Sequence, residues 1–358
     1  MTTSATLDFH RVEEFAGKLF ELYNSGMLTL MIDVGNRTGL FEALAVDAGT
    51  SAEIAQRADL TERYVREWLG AMVTGGIAEY DAATATYSLP PEHAACLTGP
   101  GALNLAPTSQ VVTLLGRTLP QVAEAFREGG GVPYEAFRPD FAAVMDGMSR
   151  NLFDAHLVED LVPLASGLPD RLGAGISVAD IGCGTGHSTN LLAAAFPNST
   201  FMGYDIDADA LVTGEKEAQE MGLDNVEFQR LDITRFDPDS PFDAVVAFDV
   251  VHDQVDPVTV LRRVYETLAP GGVFLMVDIR ASSDLEENRA NPLAPFLYSV
   301  STLHCMTVSL AHGGAGLGTV WGEQLARQML ADAGFIDVAC HEVPDDPTNA
   351  AYVAYKRE

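Results

Sequence analysis

Between residues 176 and 205 the chain gathers the residue types that hold a small charged ligand. Ile176-Ser177-Val178-Ala179-Asp180-Ile181 reads as a buried strand that carries a single acid, and it runs directly into Gly182-Cys183-Gly184-Thr185-Gly186. A helix from His187 to Phe196 should follow. Glycines at such a junction let backbone approach a ligand closely, while the helix N-terminus offers free N–H groups at the positive end of its dipole. The site suits a pyrophosphate or the carboxylate of an amino-acid-like cofactor, and three neighbours choose between them. Asp180 stands two residues before the first glycine, where its charge suits an ammonium group and repels a pyrophosphate. His187 takes the place of the last glycine in the dinucleotide fingerprint G-x-G-x-x-G. Phe201-Met202-Gly203-Tyr204-Asp205 reads as a second strand ending in an acid placed to grip ribose hydroxyls.

A second group of reactive side chains follows the apolar run Phe242 to Phe248: Asp249, His252, Asp253 and Asp256. A neutral imidazole has a suitable pKa for deprotonating a phenol or an acidic enol. His252 can equally cap the next helix or hydrogen-bond Asp253. Asp249, Asp253 and Asp256 have a spacing that a divalent ion tolerates, but in so acidic a chain such carboxylates are ordinarily surface residues, and no metal is expected. Cys183 reads as a small side chain packing on the cofactor. The apolar segment from Pro292 to Leu310, with His304 and Cys305, reads as a helix over the site rather than a metal centre with His312. Gly313 to Gly318 follows a helix, so it reads as a hinge or lid and not as a phosphate loop.

Taken in order, these stretches resemble the motifs of class I S-adenosylmethionine (SAM) dependent methyltransferases. Val178 to Gly186 with Asp205 is similar to the family's first two motifs. Leu231-Asp232-Ile233 resembles the third, Phe242 to Asp249 the strand-four motif, and Leu268-Ala269-Pro270-Gly271-Gly272 the turn into strand five. The resemblance covers about 110 residues and is carried by the ordered set more than by any single motif. It implies SAM as cofactor, held by Asp180, Gly182, Cys183, Gly184, Thr185, Gly186, Asp205, Ile206, Asp232, Ile233, Phe248 and Asp249. The segment Asp243 to Asp256 further resembles plant and bacterial small-molecule O-methyltransferases, which implies His252 as general base. The chain departs from the plant-type pattern at Gln254, where those enzymes carry tryptophan, and at Phe248 and Asp249, where a Lys-Trp pair is common. An N- or C-methyltransferase, for which His252 is dispensable, stays open, as does a regulator that senses SAM.

The elements that must position these residues form a Rossmann-like α/β sheet of seven strands. Phe335 to Val343 and Ala350 to Tyr355 read as strands joined by too few residues for a parallel crossover, so the last strand is antiparallel. That feature separates a methyltransferase sheet from a dehydrogenase sheet. Upstream, Gly39 to Leu44, a capping box at Thr50 to Glu53, a helix capped by Thr61 with apolar positions Val65, Trp68, Leu69, Met72 and Val73, and two β-prone runs give the winged-helix order. The expected division is a winged-helix-like module over 1–99, a helical connector over 100–168 in which Met145, Met148 and Phe153 line either the core or the acceptor pocket, and a SAM-binding domain over 169–358 with a helical insertion at about 280–320. By the resemblance, the module forms a homodimer and closes the pocket of a small aromatic or polyketide-like acceptor. The net charge of −30 repels phosphate backbones and anionic membranes, so neither nucleic acid nor membrane is an expected partner. Four scattered cysteines, no transmembrane-length apolar run and no signal-like start suit a cytoplasmic protein.

Overall fold

Asp8 opens the first helix by accepting hydrogen bonds from the backbone N–H groups of His10 and Arg11, and Gly39, at a φ of 67°, ends it. The computed structural model describes residues 7–101 and 103–358. They divide into two units, the first ending at Thr113 and the second running from Leu114 to Glu358, so the segment 100–168 is shared between them.

In the first unit, α1 (Phe9–Thr38), α2 (Leu40–Val46), α3 (Ser51–Ala58) and α4 (Glu62–Thr74) precede an antiparallel pair, β1 (Glu79–Asp81) and β2 (Thr86–Ser88). The capping box forms as the sequence predicts: Thr50 Oγ1 accepts from the Glu53 N–H while the Glu53 carboxylate accepts from the Thr50 N–H. Thr61 occupies the N-cap of α4 but makes no side-chain cap, so its hydroxyl does not do the work the sequence assigned to it. The apolar positions of α4 close a small core with Phe41, Leu44 and Ile54. There Trp68 meets Phe41 edge-on at 5.1 Å and donates its indole N–H to the Met31 carbonyl at 2.8 Å.

The second unit is organised by a seven-stranded sheet. Its strands are β3 (Ser177–Ile181), β4 (Thr200–Asp205), β5 (Val226–Arg230), β6 (Phe242–Phe248), β7 (Leu268–Ile279), β8 (Ile336–Val343) and β9 (Asp346–Tyr355). The order is β5-β4-β3-β6-β7-β9-β8, with β9 antiparallel to both neighbours as expected. Alternate residues of the central strands feed two separate cores. Ala179, Ile181, Val245, Ala247, Phe274 and Met276 face one helical layer, and Val178, Ala244, Val246, Leu275 and Val277 face the other.

Strand order reverses between β3 and β6. In open parallel sheets, ligands bind in the crevice beyond the carboxyl ends of the strands at such a switch point. The loops there carry Gly182 and Asp249, and they touch: a Cβ on Gly182 would lie 2.5 Å from Val250 Cγ2, at a φ of 68° that side chains rarely adopt. Gly182→Ala should therefore cost about 1–3 kcal/mol. Urea unfolding should show a lower midpoint at unchanged slope; a wild-type midpoint would show that the loop yields freely.

Candidate active site

The glycine loop is held from below by carboxylates. Asp180, fully buried at the end of β3, accepts hydroxyl hydrogen bonds from Ser188 at 2.9 Å and Thr189 at 2.7 Å, both in the first turn of the helix His187–Ala195. Its other oxygen, Oδ1, is buried without a partner among the described residues. Burial raises the Asp180 carboxyl to about 7, with Asp205 adding to the rise against the two hydroxyl bonds. Asp205, at the end of β4, accepts the Gly184 N–H and the Asp207 N–H, each at 2.8 Å, and burial raises its carboxyl as well. The Cys183 side chain is buried, and burial, with the neighbouring Asp180 and Asp205, pushes its thiol well above the usual range.

The remaining residues expected around a nucleotide lie along the same sheet edge. Ile206 is exposed directly after β4. Asp232 caps the short turn Ile233–Arg235 through the Thr234 N–H and hydroxyl, while Ile233 is buried in the core beneath. Phe248 packs against Phe153 with ring centroids 5.0 Å apart, which gives Phe153 a place at the end of β6.

Asp249 follows β6 with a φ of 56°, a left-handed conformation that aspartate tolerates better than most residues. Its Oδ1 is buried and unpartnered, and burial, then repulsion from Asp278, raises the carboxyl to about 8. The turn Val251–Asp253 then brings His252 inward, 4% exposed. Its Nδ1 hydrogen-bonds Asp278 Oδ1 at 2.8 Å. Asp253, the partner weighed from the sequence, instead accepts from Gln254 Nε2, so that alternative is corrected. Asp278 is the residue the sequence reading missed. It is a lone acid near the end of the otherwise apolar β7, fully buried, and its Oδ1 also accepts from Trp321 Nε1 at 3.0 Å and from the Ile279 N–H. Burial alone would push the His252 imidazole down. The carboxylate of Asp278 and the adjacent Cys305 sulfur outweigh it and hold the imidazole well above its ordinary value.

The carboxylates weighed for a divalent ion do not gather. Asp256 caps the helix Pro257–Thr267 through the Thr259 N–H. The grouping whose donor atoms lie within 4.8 Å of one another is Asp249, His252 and Asp278, and in it the Nδ1 face of the imidazole is already engaged. The glycine segment after the 306–311 helix is tied down rather than free as a lid would be: Ala315 and Gly318 donate to the carbonyls of Val255 and His252, each at 3.0 Å. It braces the turn that carries the imidazole.

A further network went unread in the sequence. Along the helix Asp140–His156, Asp146 accepts the Thr185 hydroxyl from the glycine loop. Arg150 bridges Asp146, Glu217 and His187, and His187 also meets Asp154 at 3.0 Å. The helix that reads as a plain core stripe thus clamps the glycine loop from the side.

Comparison with known proteins agrees with this geometry. Residues 26–99 match the family described as Rv2258c-like winged HTH domain, and residues 172–334 the family described as Methyltransferase domain. Among relatives, a trans-aconitate 2-methyltransferase of Methylobacterium nodulans is 31% identical over 116 residues, 32% of this chain and 42% of that protein. A fatty-acid O-methyltransferase of Mycolicibacterium smegmatis is 32% identical over 113 residues, 32% of this chain and 40% of that protein. The chain spans less than half the length of these relatives. Solved structures align along almost the whole chain. The mitomycin 7-O-methyltransferase MmcR has a TM-score of 0.71 at 17% identity, covering 97% of this chain and 100% of that one. Human N-acetylserotonin methyltransferase in complex with SAM has a TM-score of 0.67 at 20% identity, covering all of both chains. The molecule carries a winged-helix domain followed by a methyltransferase domain.

The Asp278–His252 pair makes a direct prediction. Asp278→Asn removes the largest influence that raises the imidazole and leaves only the Cys305 sulfur against burial, so its pKa should fall toward the ordinary value of about 6.5. Histidine-selective NMR titration measures it, and a value still well above that would assign the rise to another group.

Proposed function

We propose that the chain methylates a small, aromatic or polyketide-like acceptor at oxygen, using SAM, with His252 as general base. The observation that carries this reading is the set of buried carboxyl oxygens without partners among the described residues at the ends of β3, β6 and β7: Asp180 Oδ1, Asp249 Oδ1 and Asp278 Oδ2. Buried unpaired carboxylates are costly, and a ligand bearing positive charge relieves them. A cofactor with an ammonium and a sulfonium fits this set, and a pyrophosphate does not. Asp180, Gly182, Cys183, Gly184, Thr185 and Gly186 would hold its amino-acid end, Asp205 and Ile206 its ribose, Asp232 and Ile233 its adenine, and Phe248 and Asp249 would line the floor.

When bound, SAM supplies a methyl group already activated for transfer. The chain's own work is then to align the acceptor, exclude water and remove a proton. With its pKa held well above the ordinary value, His252 is competent only in the fraction that has lost its proton, which grows as pH rises; in that form it takes the acceptor's proton, and Asp278 stabilises the resulting imidazolium. Carboxyl methylation, after the names of the trans-aconitate and fatty-acid relatives, is disfavoured by the same observation. The carboxyls of Asp249, Asp253 and Asp278 crowd His252, while Arg138 is engaged by Asp207 and Asp209, and Arg150 by Asp146 and Glu217, which leaves neither arginine free for an acceptor carboxylate.

Calorimetry with SAM and its demethylated product, followed by a phenol panel, tests the reading; failure to bind either overturns it. Asp180 sets the pH dependence. Its folded-state pKa is raised to about 7, so it keeps its proton in acid and offers a negative charge only as pH rises through that value. SAM affinity should therefore be about tenfold weaker at pH ~5.5 than at pH ~7, and a flat profile would remove Asp180 from the site. His252→Ala should nearly abolish turnover at unchanged SAM affinity; wild-type turnover would favour an N- or C-methyltransferase instead.

We also propose that the winged-helix module pairs with a second copy. Phe9, Phe15, Phe20 and Tyr23 of α1 are each 60% or more exposed, a row of large apolar side chains that a lone helix rarely leaves in water. Sedimentation equilibrium should give twice the chain mass. A single-chain mass at micromolar concentration would refute the pairing.

A further inference from the structure

His304 lies outside the machinery described so far, and its surroundings are unusual for a core histidine. The helix Ala294–Val300 passes through a π-helical turn, Ser301–Cys305, into the helix Met306–Ala311. Successive residues of an ordinary helix point about 100° apart, whereas here His304 and Cys305 are both buried, at 1% and 5% exposure. Cys305 sits beside the His252 imidazole. His304, whose ring feels the charge of His252, lies close by.

The ring of His304 is packed as an aromatic. It stacks on Phe141 at 3.8 Å and 9°, and meets Phe137 edge-on at 4.5 Å and Tyr134 at 6.2 Å. Neither Nδ1 nor Nε2 has a hydrogen-bond partner among the described residues. Buried polar atoms are ordinarily paired, and one imidazole with both nitrogens unpaired is a rare exception. A phenylalanine would fill the same space without that penalty. Burial, with the charge of His252 adding to it, lowers the ring's pKa to about 3, so it stays neutral and presents one N–H donor and one nitrogen acceptor.

We propose that His304 is a specificity-determining residue that hydrogen-bonds a second, neutral oxygen, hydroxyl or carbonyl, on a planar aromatic acceptor whose reacting hydroxyl faces His252. The inference rests on the methyltransferase reading and adds the substrate's chemistry. A neutral imidazole packed among Phe137, Phe141 and Tyr134 brings no charge of its own with which to hold a carboxylate. The acceptor is accordingly a polyoxygenated, uncharged aromatic.

Equilibrium binding to the full chain loaded with the demethylated cofactor separates this inference from the catalytic reading. The probes are 1-naphthol, the 1,3-, 1,5- and 1,8-dihydroxynaphthalenes, and 8-hydroxy-1-naphthoate. At least one diol should bind about tenfold more tightly than 1-naphthol, the size of one well-made hydrogen bond, and the naphthoate more weakly than either. His304→Phe, which keeps the aromatic volume, should reduce the diol preference to about twofold or less, and His304→Asn, which keeps a donor and an acceptor, should restore part of it. Equal binding of all diols and 1-naphthol to the wild type, a preference that survives His304→Phe, or tight naphthoate binding would each overturn the assignment. If the diol preference depends on His304 but no probe is methylated, the inference stands and the proposed reaction fails.

Discussion

Carboxyl groups held out of water are the constraint around which the second unit is arranged. Asp180, Asp249 and Asp278 sit at the carboxyl ends of three neighbouring strands, each with one buried oxygen that no described residue satisfies. A fold carries such a cost where something else requires it. The parallel strands point the three chain ends into one crevice, the order reversal opens that crevice, and glycines bring backbone close enough to share it. The two apolar cores exist on either side because a central parallel strand must be covered on both faces. The sheet is in this sense a device for keeping carboxylates both dry and pointed the same way.

The same economy explains why His252 is built as it is. An imidazole in that crevice would lose its proton to burial alone. Asp278 reverses the balance, and Trp321 with the Ile279 N–H prevents Asp278 from turning away. The imidazole is thus anchored by β7 and by the residue just before the helix Gly322–Ala333, while its own turn is braced by Gly318. The placement of one residue depends on three segments that are far apart in the chain: its own turn, β7 and the stretch from Gly318 to Trp321.

What the sequence disclosed followed period and local chemistry. Strands with unbroken apolar runs, the glycine junction, the capping box at Thr50 and the antiparallel closing pair were legible because each is decided within a few residues. Asp278 was not, since one acid in an apolar strand looks like noise until its partner, 26 residues away, is placed. The clamp through Asp146, Arg150 and His187 was hidden for a similar reason. A helix with apolar spacing reads as core, and its polar face gains meaning only against the glycine loop. Thr61 shows the converse, a residue of the right type at the right position whose hydroxyl makes no cap.

The π-helical turn at Ser301–Cys305 adds one residue to a helix that otherwise keeps its phase. Everything after it is rotated by the angle of a single residue while the turn bearing His252 is untouched. Gaining or losing one codon there would re-index the buried face of this helix, presenting a new pair of neighbouring side chains to the interior while the strands keep their register.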